Sequence, residues 1–125
     1  MSTDWPTLLA MAEAEVKKVL GKLPRDLRAA AESVPVTFEP RPNRALQEDG
    51  IEADTLGLFL GEPLPDRGES LEPLPPRIIL FLENIRDAAE ADTSVYRAEV
   101  RTTFLHELGH FLGLDEIDLE QRGLE

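Results

Sequence analysis

Ten prolines punctuate this chain, all but Pro6 between residues 24 and 76. A proline inside a helix removes a backbone hydrogen bond and clashes with the preceding turn, and it biases the residue before it toward extended backbone. The middle of the chain is thereby limited to short elements, and long helices are confined to the two ends. Residues 5–20 read as an amphipathic helix: Pro6 suits the first turn, Leu8, Leu9, Ala12, Val16 and Leu20 share a stripe, and Gly21 stops it. Pro24 opens a second, shorter helix, PRDLRAAAES. VPVTFEP, β-branched and bounded by prolines, gives a strand at 34–39. One helical turn is expected at 43–48, a short strand at 55–60 and a buried strand, RIILFL, at 77–82. A short helix at 84–91, a longer one at 94–112 and a last helical segment in DEIDLEQRG follow. The acidic, proline-rich run GEPLPDRGESLEPLPP, 61–76, reads as a loop, and loops of that length are commonly functional. With no repeat and no linker, residues 1–125 are expected to form a single α+β domain: about three short strands packed against helices, the longest helix near the C-terminus.

The formal charge of −12 opposes binding to nucleic acid or to anionic membrane surfaces. The absence of cysteine excludes disulfides and thiolate metal ligands and suits a reducing compartment. No stretch is apolar for long enough to span a bilayer, and MSTDWPTLLAMAEAEVKKVL lacks the charged leader and apolar run of a signal peptide. A cytoplasmic location is the expectation.

Both histidines of the chain lie in FLHELGHFLGLDE, residues 104–116. On a helix, His106 and His110 stand one turn apart on one face, with Glu107 beside them. Two imidazoles so placed can converge on one ion, and zinc accepts such nitrogens while leaving a position for water. An adjacent carboxylate can then take the proton of that water, so His-Glu-x-x-His supplies two ligands and a general base from a single turn. Relative to His106, residues Glu99, Thr102, Thr103 and His110 share the polar side. Val100, Phe104, Leu108 and Phe111 lie opposite, widened by Leu105 and Leu112. Fifteen residues follow His110, too few for a third ligand on a distant helix. A nearby one is reachable if Gly113 ends the helix with positive φ and turns the chain back. Glu116 then occupies the third-ligand position, with Asp115 its nearest competitor and Asp118 a more distant one.

On these residues the chain resembles the small bacterial zincin-like proteins, a group described as minimal zincins or possible zinc metallopeptidases. The resemblance runs through LGLFLGEPL and RIILFLENI and is most specific in HELGHFLGLDE. It implies a minimal zincin-like fold, a short mixed sheet packed against helices, with Zn2+ held by His106, His110 and the acid at 116, and Glu107 as base. The chain departs from its relatives in carrying Glu116 where they commonly carry Asp. Met1 and Met11 both precede the motif, so the methionine turn of metzincins is absent.

The expected activity is hydrolysis of a peptide bond by metal-activated water, with a peptide or protein as substrate, laid along the strand near Leu56–Leu60. The alternative is a zinc-binding protein whose metal is structural and whose role is interaction; a metal-free interaction domain is a third reading. Candidates for stabilising an oxyanion are few. Tyr96, the one tyrosine, lies far upstream and reads as structural, and Arg122 can contribute only if the C-terminal segment folds back. The oligomeric state is left open.

Overall fold

The computed structural model describes residues 3–64 and 75–123. The first helix, α1, spans Trp5–Lys22. The Asp4 carboxylate caps it by accepting the Thr7 N–H at 3.1 Å. The helix runs through Gly21, which was expected to stop it; the break falls at Leu23, held extended in front of Pro24. After that proline come α2 (Arg25–Ser33), β1 (Val36–Glu39) and α3 (Arg44–Glu48, capped by Asn43). Then follow β2 (Gly57–Leu60) and β3 (Arg77–Phe81). Each of the three strands is shorter than expected, and β3 passes straight into α4 (Leu82–Ala88). That helix ends before residue 91 because Glu90 and Ala91 adopt left-handed backbone, with φ of 54° and 59°. The chain then enters α5 (Thr93–Leu112), whose first turn is capped by Asp92, and finishes in α6 (Glu116–Gln121). Most of the expected 61–76 loop lies outside the described residues.

Among the described residues, three strands form one mixed sheet in the order β1-β3-β2. β1 runs parallel to the central β3, and β2 runs antiparallel to it. β3 therefore carries the apolar run expected of a strand buried on both faces: Ile78, Ile79, Leu80 and Phe81 are fully buried. The outer edge of β2 pairs with no strand among the described residues. The strand is held in place upstream by the buried Asn84, whose amide donates to the carbonyls of Ala53 and Thr55 at 2.8 and 2.9 Å while its oxygen accepts from Arg41 at 2.6 Å.

α5 lies across one face of the sheet and against α1. Tyr96, Val100, Phe104 and Leu108 meet the α1 stripe of Leu8, Met11, Ala12 and Val16, together with Ile78 and Leu80. At about 1.5 Å of rise per residue, twenty residues span roughly 30 Å, long enough to cross the domain. The motif thus sits at the C-terminal end of a helix anchored along its length. A polar tie reinforces the anchor: Glu15 of α1, wholly buried, pairs with Arg97 and Arg101 of α5 at 3.3 and 3.1 Å, and with Lys18 at 3.4 Å. No helix among the described residues is long and apolar enough to cross a membrane.

Candidate metal centre

The last three turns of α5 separate the two functions of the motif. His106 and His110 are exposed, whereas Glu107 is buried, with 8% of its surface accessible. The histidine Nε2 atoms approach to 3.2 Å, with the rings nearly perpendicular at 87°. Two nitrogens, each about 2.0–2.1 Å from a tetrahedral zinc, stand about 3.3 Å apart, so the pair is spaced as one ion requires. Ligand atoms of His106, Glu107 and His110 all lie within 4.8 Å of one another. The two imidazole donors suit zinc and other borderline divalent ions.

Glu107 owes its burial to β2. Gly57 lies over the side chains of Thr103 and Glu107, and the Phe59 ring packs on Phe111 with centroids 5.9 Å apart. Burial pushes the Glu107 carboxyl above its ordinary value. Positive charge on His106 and His110, together with a hydrogen bond from the Phe59 backbone N–H, pulls the other way without cancelling the effect. A carboxylate with a raised pKa is a stronger proton acceptor. The helical wheel placed Thr103 on the polar side; in the fold it is buried beneath the strand.

Gly113 ends α5 as expected, with φ 74° and ψ 26°. The Leu114 N–H donates to the Gly109 carbonyl at 2.8 Å and the Gly113 N–H to the His110 carbonyl at 3.3 Å, the paired bonds of a left-handed helix stop. α6 can then fold closely onto α5, because Gly109 presents no side chain where Leu119 and the Leu114 carbonyl pack. The turn brings Glu116 beside His106, its Oε1 3.8 Å from Nδ1, the ring nitrogen facing away from His110. Glu116 is not gathered into the cluster around Nε2. Asp115 and Asp118 are engaged with each other's backbone: Asp115 Oδ1 accepts the Asp118 N–H at 2.8 Å, and Asp118 Oδ2 accepts the Asp115 N–H at 3.0 Å. They cap α6. A pocket of about 360 Å³ opens between the histidines, this turn and α6.

Tyr96 is structural, its hydroxyl donating to the Leu8 carbonyl at 2.9 Å in the core. Arg122 pairs with Asp26 at 3.0 Å and ties α6 to α2. Neither lines the pocket at the histidines.

Gly57 and the Phe59 amide went unnoticed as parts of the site at the level of sequence. The available signal was a glycine inside a strand, which marks close backbone approach. No curated protein matches the chain. Residues 31–124 match the zincin-like metallopeptidase family, whose members imply a metal, typically zinc. With three-quarters of its length matched and a histidine pair spaced for a metal ion, the chain belongs to the zincin-like metallopeptidase family.

Proposed function

We propose that this protein is a zinc-dependent peptidase that hydrolyses a peptide bond with Glu107 as general base. The observation that carries the reading is the 3.2 Å approach of two Nε2 atoms beside a buried carboxylate. His106 and His110 would hold the ion through Nε2, and Glu116 would complete the protein ligands. The engagement of Asp115 and Asp118 in capping α6 supports that choice. Glu116 itself is exposed and stands beside His106, its Oε1 3.8 Å from Nδ1.

Zinc, when bound, supplies Lewis acidity that polarises a carbonyl and lowers the pKa of water. Glu107 takes a proton from the attacking water and passes it to the leaving amine. Its burial keeps the carboxylate poorly solvated and therefore basic, and β2 fixes it on the side of the histidines. The outer edge of β2, unpaired among the described residues, offers the Gly57 main-chain groups and the Phe59 carbonyl to an extended peptide or protein substrate. The negative net charge disfavours nucleic acid and anionic membranes as partners, and the cysteine-free chain suits the cytoplasm.

A second reading, a structural zinc in an interaction module, is favoured by one feature: among the described residues no Tyr, Lys or Arg lines the pocket at the histidines. Glu107→Gln separates the two. Under the peptidase reading it retains zinc and loses hydrolysis of a peptide library, read by mass spectrometry. Undiminished cleavage removes Glu107 as the base, and the lack of any cleavage by the zinc-loaded native protein favours the structural role.

A further inference from the structure

Gly57 occupies the first position of the edge strand, directly over α5. A Cβ built there would stand 2.6 Å from Thr103 Cγ2 and 3.3 Å from both Glu107 Cγ and Leu80 Cδ2. The first contact is shorter than any carbon pair tolerates. It involves a β-branched side chain, buried and stiff at χ1, so the strand would have to move rather than the methyl group. Any other residue at 57 therefore lifts β2 away from the helix at the turn that carries Glu107.

The pairing register shows what depends on that separation. The Phe81 N–H donates to the Leu56 carbonyl at 2.9 Å, and main-chain direction alternates along an antiparallel strand. Leu56, Leu58 and Leu60 thus bond to β3, while Gly57 and Phe59 turn their N–H and C=O groups to the outer edge. The Phe59 ring, on the same face as Gly57, rests on Phe111 with centroids 5.9 Å apart, which sets the Phe59 N–H at the edge beside the Glu107 carboxylate. Strand and helix meet at two neighbouring points, Gly57 on Thr103 and Phe59 on Phe111, and the closer requires a bare α-carbon.

We propose that Gly57 is a positioning residue for Glu107: the missing side chain lets the edge strand close onto α5 so that the Phe59 amide holds the carboxylate beside the histidines. This inference rests on the reading of Glu107 as the base, and its test needs neither substrate nor turnover. Amide hydrogen exchange is measured by NMR on the zinc-loaded full chain. An edge amide open to water exchanges fast, whereas the Phe59 amide is expected to be protected in the native protein and its cross-peak to shift in Glu107→Gln.

Gly57→Ala should accelerate exchange at Phe59 at least tenfold while leaving zinc affinity within about twofold, because the histidines are not carried by the strand. Thr103→Ser deletes only the clashing Cγ2, so the double variant Gly57→Ala/Thr103→Ser should recover most of the lost protection and the native cross-peak position. Native protection at Phe59 in Gly57→Ala overturns the proposal, as does failure of Thr103→Ser to restore it. Should Gly57→Ala not fold, the double variant decides: a folded protein with protected Phe59 supports the proposal, and an unfolded one refutes it. A chain that binds zinc but cleaves nothing would defeat the peptidase reading and leave this result standing.

Discussion

Removing the buried carboxylate of Glu15 should disturb the protein less than removing the cations that surround it. Glu15 has no accessible surface and receives three charged partners at 3.1 to 3.4 Å, yet its Oε2 has no hydrogen-bond partner. The three cationic side chains are themselves between 35% and 56% exposed, so each contact is screened and contributes about 0.5–1.5 kcal/mol. Their sum, about 2–4 kcal/mol, is offset by about 1–3 kcal/mol for holding a carboxylate with one unmet oxygen out of water. Glu15→Met keeps the volume and deletes both contributions, leaving a net loss of about 1 kcal/mol, or roughly 3–6 °C in Tm. Deleting the cations is different, because the charge stays behind. Arg97→Ala/Arg101→Ala should cost about 3–5 kcal/mol. Burial raises the Glu15 carboxyl, but the hydrogen bonds from Arg101, Arg97 and Lys18 outweigh it and hold the group below its ordinary 4.5. Its contribution is therefore present above the unfolded value and lost as pH falls through the lower folded value. Urea denaturation followed by circular dichroism at pH 7 and pH 3.5 measures all of this. The reasoning fails if Glu15→Met loses more than about 3 kcal/mol at pH 7, if the double arginine variant loses less than 1, or if Glu15→Met does not flatten the acid-side fall.

Three further outcomes concern the turn and the third ligand. Glu116→Ala should weaken zinc by more than about a hundredfold in competition titrations. A loss confined to about 10–100-fold would mark Glu116 as an outer partner of His106 Nδ1 instead, the position its 3.8 Å contact also allows. Asp115→Ala should cost about 1 kcal/mol of stability through the lost α6 cap, with a much smaller effect on zinc than Glu116→Ala; the reverse ranking would transfer the ligand role by one residue. Gly113→Ala must adopt φ near 74° at about 1 kcal/mol, and if that strain bears on the metal-binding turn, zinc affinity falls about fivefold.

The parts of this site that are local in sequence were legible in it. The histidine spacing, the left-handed glycine and the amphipathic division of α5 follow from one helix and its end, where period and capping rules operate within a few residues. Glu107 was assigned its role from the same turn, but its burial was not, because the covering element is β2, some fifty residues upstream. Thr103 was misplaced for the same reason: helical angle reports a direction and does not say what stands there. Gly21 looked like a helix stop and was overruled by Pro24, whose restriction on Leu23 is steric and stronger than a glycine's mere permissiveness. Glu15, which entered the sequence analysis only through the net charge, is a buried ion-pair centre whose arginines lie more than eighty residues away. Long-range pairing of charges leaves no periodic trace in one sequence.

The most direct test of the account is a crystal of the zinc-loaded protein with anomalous data collected on both sides of the zinc absorption edge. The account expects one strong peak per chain, about 2.0–2.1 Å from Nε2 of both His106 and His110, with a Glu116 oxygen as the next protein ligand. A map with no peak between those two nitrogens, from protein saturated with zinc at neutral pH, would contradict it.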